Sequence, residues 1–425
     1  MARKNWYPLD NAAKIYPPNT NEKSPFVFSF SARLNEEVEP ELLQTALNGV
    51  LTRFPSFKTH LKRGLFWYYL EENNKPATVR EQPAHYLKHI TANSNNGYLF
   101  EVFYRKNIVT LNLHHSLTDG TGGVNFFLEI LFDYFKLMGY PLESEGVIRP
   151  SAAPYIVAES EDTFKTLDKN KSKFSPFEKL PYKFMGTPFN YDGNGIICAV
   201  CPVEQLKELA AKHGASITEY LAALYMMSVY ESYMKNRPLK NKLIKILVPI
   251  NLRKHFSTKT VRNFALFVRL THDFATEITF DECINLCKQQ MKDGLEMDKI
   301  ERMIHYNVKL EKNPFMKIVP LFIKDIAMKL TYLKVGENLQ TGDLSNIGLI
   351  KTPECFKNYL KDITFLIGPN KRAPQNLGVI GYNGKIYITS TRNYVENALE
   401  RKFFRSLAQS GVDVQILSNF WEAQL

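Results

Sequence analysis

A chain of 425 residues exceeds one ordinary domain and suffices for two. Hydrophobic residues make up 44% and charged residues 23% of it, a globular balance that excludes disorder over most of the length. The formal net charge of +11 favours anionic partners such as phosphate groups, acidic proteins or membrane surfaces. Because no nucleic-acid motif is present, nucleic acid is not an expected partner.

The N-terminal stretch has no apolar run of signal-peptide length, and no segment has about 18 uninterrupted apolar residues. We therefore expect no transmembrane segment and a cytoplasmic location. Five cysteines in a chain this long do not form a disulfide scaffold, so free thiols are expected. Cys198 and Cys201 have C-x-x-C spacing, which raises the alternative of a zinc site. They lie in a predicted strand, where residues three apart point to opposite faces, so we interpret them as small buried hydrophobes.

In the first half, apolar alternation and helical spacing of apolar residues predict strands and helices in turn. The predicted elements are, in chain order, a strand at 26–34, a helix from about 40, a strand at 64–71, two strands within 99–115 joined at 105–107, and a helix from about 122. From about residue 141 to 194 the periodicity fades, which indicates a crossover between two halves.

The second half repeats the mixture of elements. The predicted elements are a strand at 195–200, helices at about 206–213 and 216–233, strands at 243–253 and 263–274, a helix at 281–291, a hairpin at 377–393, and a last helix from about 395 to 411. Ser216 and Glu219 have capping-box spacing, and Asn383-Gly384 is a favoured two-residue hairpin turn. The fold class is thus α/β or α+β, with one lobe over residues 1–180 and another over 181–425.

The segment LNLHHSLTDGTGG, residues 111–123, carries the strongest chemical signal. A hydrophobic strand ends at His114 and His115, and a turn with Asp119 and Gly120 leads into a helix. A histidine at a strand end is well placed for acid–base chemistry near neutral pH. Two adjacent strand residues point opposite ways, so joint metal ligation is awkward, and the glycines lack phosphate-loop spacing. A plain structural turn stays open on the residues alone.

HHSLTDG resembles the HHxxxDG signature of the condensation-domain and chloramphenicol-acetyltransferase-like acyltransferases, and the resemblance covers essentially the whole chain. VPINLR, ending in Arg253, is followed by Asn263 in RNFALF, and LSNIG contains Ser345, Asn346 and Gly348; these motifs occur in the family's order. The chain is most similar to bacterial alcohol-acetyltransferase-like members. It lacks the DFGWG motif of the plant branch, and SNIG stands roughly in its place.

The resemblance implies two chloramphenicol-acetyltransferase-like lobes in a V with an active-site tunnel between them. It implies that His115 is the general base, that Asp119 has a structural role paired with Arg253, and that His114 packs away from substrate. Gly120 would leave room for substrate. Supporting residues would be Asn263, Ser345, Asn346 and Gly348, with Ser345, Asn346 and Ser390 as candidate oxyanion donors. The helix from about residue 122 would direct its positive end toward developing negative charge.

The function implied is transfer of an acyl group, expected to be acetyl, from acyl-coenzyme A to a small alcohol by histidine general-base catalysis. No bound cofactor is expected, because the thioester is a co-substrate. No metal is expected either, because the chemistry is general-base acyl transfer. One alternative is a stand-alone condensation-type domain that takes its acyl group from an acidic carrier protein and acylates an alcohol or an amine. Another is a non-catalytic binding module, which the presence of the whole motif disfavours.

Residues 313–334 are apolar with interspersed lysines. We interpret them as a core helix whose lysines extend to solvent. The alternative is a helix at a membrane surface or along an acyl tunnel.

Overall fold

The computed structural model describes residues 5–84, 87–168, 178–189 and 193–419. In this part of the chain the strands β1 to β15 are, in order, Trp6–Pro8, Val27–Leu34, Thr59–Arg63, Tyr68–Glu72, Val79–Glu81, Phe100–Arg105, Ile108–His114, Gly195–Pro202, Leu243–Asn251, Ala265–Asp273, Gly342–Leu349, Leu360–Ile367, Gln375–Tyr382, Lys385–Arg392 and Gln415–Ser418.

The helices α1 to α11 are, in the same order, Tyr16–Asn19, Pro40–Arg53, Gly120–Leu137, Thr163–Thr166, Val203–Lys212, Ile217–Tyr233, Phe280–Gly294, Met297–Lys312, Pro314–Ile318, Leu321–Val335 and Ala398–Gln409. No helix of the described residues is both long and apolar enough to cross a membrane.

Two large sheets organise the molecule. One has five strands in the order β12-β2-β7-β6-β5, and the other has seven in the order β10-β9-β11-β13-β14-β8-β15. A small sheet, β1-β4-β3, stands apart from both. Helices cover the large sheets, since α2 and α3 bury apolar residues with the first sheet and α5, α6, α7 and α11 bury theirs with the second. This mixed α/β arrangement confirms the predicted fold class.

The second half of the chain contributes one strand to the sheet of the first lobe. β12 comes from late in the chain, yet it pairs with β2 in the five-stranded sheet, with Phe365 opposite Phe30. A division into residues 1–180 and 181–425 therefore assigns one strand of the first sheet to the other lobe. Local patterning could not reveal the pairing of β12 with β2, because the apolar sequence of a strand does not indicate which sheet it joins.

Most predicted elements are confirmed, including the capping box at Ser216 and the hairpin turn with positive φ at Asn383 and Gly384. The predicted strand at 64–71 is displaced. Gly64 begins a turn, in which its N–H donates to the Trp67 carbonyl, and the strand starts only at Tyr68. Aromatic residues of high strand propensity occupy both the turn and the strand, so propensity did not locate the boundary.

The cysteine interpretation is confirmed for β8. Cys198 packs into the core shared with the first lobe, whereas Cys201 packs into the core of the second. Burial raises the pKa of both thiols to about 12, so both are protonated near neutral pH. Among the described residues no group of three or more His, Cys, Asp or Glu side chains is placed to hold a metal ion.

Candidate active site

β7 ends at His114, and His115 is the first residue after it, so the two adjacent side chains point in opposite directions. It is held between β2 and β6, and the His115 N–H donates to the Phe26 carbonyl at 2.9 Å. His115 then faces a cavity of about 860 Å³, while His114 faces the protein interior. The alternation of strand side chains alone produces this division.

The His115 ring is held between two aromatic rings. The Tyr16 ring stacks on it with the ring centroids 5.2 Å apart, and the Phe28 ring is tilted against it with the centroids 4.6 Å apart. The Nδ1 atom is buried and has no hydrogen-bond partner among the described residues. Burial lowers the pKa of His115 to about 4, although Asp119 and the Thr118 backbone act in the opposite direction. The imidazole is therefore neutral, and able to accept a proton, at neutral pH.

His114 contacts the segment that carries Tyr16 and does not line the cavity. Its Nδ1 accepts a hydrogen bond from the Ser116 N–H at 3.1 Å, so its proton is on Nε2, which lies 3.0 Å from Thr20 Oγ1. The Thr20 hydroxyl donates in turn to the Tyr16 carbonyl at 2.7 Å. Burial lowers the pKa of His114 to about 3, and the charges of His115 and His89 act in the same direction. The sequence did not indicate that this histidine helps to place the ring that stacks on His115.

Asp119 fastens the start of α3 to the second lobe. Its Oδ1 accepts from the Gly122 N–H at 3.0 Å, which is an N-cap interaction. Its Oδ2 accepts from the Phe264 N–H and from Arg253 Nη1, both at 2.8 Å. The pairing with Arg253 that the resemblance implied is thus present. The carboxylate occupies the first turn of the helix, so the free helix end expected near residue 122 is already capped.

Arg253 is itself held by four further contacts. Its Nε donates to the Thr260 carbonyl at 2.9 Å, Nη1 donates to Asn251 Oδ1 at 3.3 Å, and Nη2 donates to the Arg262 carbonyl. Asn251 Oδ1 also accepts from the Arg253 N–H at 3.0 Å. Such a pre-placed guanidinium compensates the buried Asp119 charge, which would otherwise be costly.

Asn263 and Asp10 support the histidine backbone. Asn263 Nδ2 donates to the His115 carbonyl at 3.0 Å and to Asp10 Oδ2 at 3.1 Å. Asp10 is fully buried, and its Oδ2 lies 3.5 Å from Arg262 Nε. Burial raises the pKa of Asp10 to about 6, against the effect of Arg262. Sequence reasoning missed Asp10, because a lone aspartate far from the motif gives no signal.

Glycines allow the two lobes to approach closely at the motif. A Cβ built on Gly120 would lie 2.6 Å from Ile347 Cδ1, and one on Gly122 would lie 2.0 Å from the Val261 carbonyl oxygen. Gly120 also lines the cavity. A side chain at position 120 would thus meet Ile347 of the second lobe, which lines the same cavity.

The SNIG segment forms part of the cavity wall and comes from the second lobe. Ser345 and Asn346 on β11 line the cavity, and the register of β11 against β13 shifts between Asn346 and Leu349. Asn346 Nδ2 donates to Thr218 Oγ1 at 3.0 Å, and its Oδ1 accepts from the Gly348 N–H at 2.8 Å. Gly348 has a φ of +86°, the left-handed region that glycine tolerates best. These bonds already engage Asn346, which leaves Ser345 as the more accessible candidate donor.

Ser390 is not an oxyanion donor. It is fully buried, its Oγ accepts from Gln375 Nε2 at 3.2 Å, and it donates to Glu400 Oε1 at 3.3 Å. It does not belong to the cavity wall. Sequence reasoning chose it because a serine at a strand position looks the same whichever face of the sheet it occupies.

The rest of the cavity wall is mainly apolar and comes from both lobes. Among its apolar members are Phe164, Leu247, Met291, Met303, Met316 and Met328. Methionine side chains adapt to irregular apolar ligands. Lys254 and His255, both exposed, stand at the same cavity beside Arg253. The site thus combines a neutral histidine, a large apolar space and a basic margin.

No family model and no curated protein matches this sequence. The fold has many solved counterparts. Polyketide synthase associated protein 5 from Mycobacterium tuberculosis is 16% identical over 91% of this chain and 96% of its own, with a TM-score of 0.60. The trichothecene 15-O-acetyltransferase TRI3 from Fusarium sporotrichioides is 11% identical over 96% and 94%, with a TM-score of 0.59.

The condensation domain from the Monacolin K polyketide synthase MokA is 13% identical over 96% of each chain, with a TM-score of 0.57. The chain has the two-lobed fold of condensation domains. This likeness extends over nearly the whole chain, and at these identities it concerns the fold. It agrees with the architecture that the HHxxxDG resemblance implied.

Proposed function

We propose that this protein transfers an acyl group from acyl-coenzyme A to an alcohol, with His115 as general base. The observation that carries the proposal is the neutral His115 ring, fixed between Tyr16 and Phe28 at the wall of a cavity built by both lobes. A base must be unprotonated and placed before the acceptor arrives, and this ring meets both requirements.

The reaction is written as one addition and one elimination. His115 Nε2 takes the proton of the acceptor hydroxyl while the hydroxyl oxygen attacks the thioester carbonyl carbon. A bond forms between this oxygen and the carbonyl carbon, and the π electrons of the carbonyl group move to the carbonyl oxygen. When the intermediate collapses, the carbon–sulfur bond breaks and the imidazolium returns the proton to the leaving thiolate. Buried Nδ1 cannot reach substrate, so Nε2 is the atom assigned to this role.

Two features support the choice of substrates. Lys254 and His255 at the cavity offer basic contacts for the phosphates of coenzyme A. The cavity of about 860 Å³ with a methionine-rich apolar wall exceeds what an acetyl group and a short alcohol need. We therefore propose a lipophilic acceptor, with acetyl or a longer chain as the transferred group.

A condensation-type reaction with a carrier-protein donor is the second candidate, and the likeness to the MokA condensation domain favours it. Comparing acyl-coenzyme A with the same acyl group on a phosphopantetheinyl carrier protein separates the two. A much higher kcat/KM with the carrier would select the condensation-type activity, whereas efficient use of free acyl-coenzyme A would select the first proposal.

The kinetic order tests the absence of an acyl-enzyme. Because His115 acts as a base and forms no covalent bond, both substrates must be present together, and double-reciprocal plots should intersect. We propose that donor and acceptor enter from opposite mouths of one tunnel, so neither should compete with the other. Parallel lines, or an acylated protein detected by mass spectrometry, would replace the base role with a covalent one.

The pH profile should report the shifted histidine. With a pKa of about 4, His115 stays unprotonated down to that pH, so kcat/KM should hold from neutral pH to near pH 4. Below it, kcat/KM should fall about tenfold per pH unit as the base is protonated. The Asp10→Asn variant is the control, because a limb near pH 6 that disappears in it would assign the titration to Asp10. A limb near pH 6.5 that persists in this variant would contradict the buried-base account; circular dichroism at each pH confirms folding.

A further inference from the structure

The helices α9 and α10 carry an apolar face that no described part of the chain covers. Phe315 and Ile318 are three residues apart on α9, so they share one side of that helix. Phe322, Ile326 and Leu330 recur every four residues on α10, so they share one side of that helix. Phe315 is 76%, Phe322 59% and Ile326 60% exposed. The interpretation of residues 313–334 as a core helix is therefore wrong for this face.

The turn between β3 and β4 extends this surface. Leu65 and Phe66 are exposed there, and the turn is fixed to α10 because the Leu321 N–H donates to the Leu65 carbonyl at 2.8 Å. Lys324 Nζ donates to the Phe66 carbonyl at 2.9 Å. We call these seven exposed side chains the apolar patch. It gathers seven of the nineteen large apolar side chains exposed in the described residues, whereas exposed apolar residues on most soluble proteins are scattered singly.

The exposed charged side chains on α9 and α10, beside the apolar patch, are positive. Lys317, Lys329 and Lys334 are exposed on the same two helices. The acid of these helices, Asp325, is engaged internally by Arg63 Nη2 and the Tyr68 hydroxyl, both at 3.0 Å, and its side chain is 14% exposed. Along α9 and α10 the described residues therefore present exposed apolar groups and exposed cations, and Asp325 is already paired.

This charge pattern selects the partner. A second copy of the chain would place lysines opposite lysines across the interface, without an exposed acid to pair them. An anionic lipid bilayer complements both components, because its headgroups attract lysines and its acyl boundary accepts apolar side chains. We propose that the apolar patch docks this protein on an anionic membrane surface.

The placement also relates the membrane to the cavity. Met316, Met328 and Tyr332 belong to the same helices and line the cavity from the other side. One helix layer would then separate the bilayer from the cavity, a short route for a lipophilic substrate. The docking itself does not depend on the proposed acyl transfer, and vesicle binding is measured without any substrate.

Co-sedimentation of the full-length protein with vesicles tests the proposal. We expect at least about tenfold stronger binding to phosphatidylcholine vesicles that contain phosphatidylglycerol than to pure phosphatidylcholine, and weaker binding at high salt. The variant Lys317→Gln/Lys329→Gln/Lys334→Gln should bind on the order of a hundredfold more weakly. The variant Phe322→Ser/Ile326→Ser/Leu330→Ser should lose binding to both vesicle types.

The matched control removes exposed apolar side chains outside the patch. Val157→Ser/Met185→Ser, at positions 69% and 88% exposed, should bind vesicles like the unaltered protein. Equal binding by the serine patch variant, or no preference for anionic vesicles, would overturn the proposal. So would a dimer in solution that the patch variant converts to a monomer while vesicles bind neither form. The lysine variant leaves every apolar side chain of the patch in place, so it keeps the test valid should the serine variant fail to fold.

Discussion

His115→Ala should lower kcat by about 10²- to 10⁴-fold while the protein stays folded, because proton transfer by a positioned base contributes about that much. The ring faces the cavity, and no other described side chain takes over its position between Tyr16 and Phe28. The measurement is kcat at saturating substrate, and circular dichroism confirms that the variant is folded. Imidazole added to the variant should restore part of the rate, which a merely structural ring would not allow.

His114→Ala is the matched control for His115→Ala. It removes an adjacent imidazole that contacts Ser116 and Thr20 but does not line the cavity. It should therefore lower stability and disturb Tyr16, yet reduce kcat much less than His115→Ala. Turnover near the unaltered rate in His115→Ala, or equal losses in the two variants, would remove His115 from the base role.

Asp119→Ala and Arg253→Ala should each lower the free energy of unfolding by about 3–5 kcal/mol, because either change strands a charge with little access to water. The Asp119 side chain is 9% exposed and the Arg253 side chain 13% exposed, and Asp119 Oδ2 lies 2.8 Å from Arg253 Nη1. Urea denaturation measures the change. In a double-mutant cycle the two losses should overlap strongly, since both variants break one contact.

The exposed pair Lys207 and Glu204, at 3.5 Å, gives the comparison for this cycle. Its side chains are both more than half exposed, and such pairs contribute about 0–1 kcal/mol. Additive losses for Asp119→Ala and Arg253→Ala, each as small as in the exposed pair, would show that the contact does not fasten α3 to the second lobe.

Much of this fold was accessible from patterning. The strand that delivers the two histidines and the helix that follows the turn were predicted from apolar periodicity, and both are confirmed. The contact of Asp119 with Arg253 spans 134 positions, so local patterns could not supply it, and it came from the resemblance alone. Tyr16 and Asp10 were missed for the same reason, because tertiary packing alone brings them to His115.

The apolar residues of α9 and α10 show a second limit of sequence reasoning. Helical spacing of apolar residues indicates an apolar face but not what covers it. In this chain one side of α10 lines the cavity, and Phe322 and Ile326 on the other side are exposed. Likewise, nothing in the apolar strand Leu360–Ile367 showed that it returns to the first sheet. Burial and strand partners are properties of the assembled fold.

The most direct test of the central claim measures both products of acyl transfer at once. The protein is incubated with acyl-coenzyme A donors of increasing chain length and with alcohols of increasing hydrophobicity. Free thiol is followed by colour reaction and ester by mass spectrometry. We predict thiol and ester in equal amounts, dependent on the alcohol, and formed at least about a hundredfold more slowly by His115→Ala. Thiol released without ester, or ester formed equally by His115→Ala, would contradict acyl transfer by this histidine.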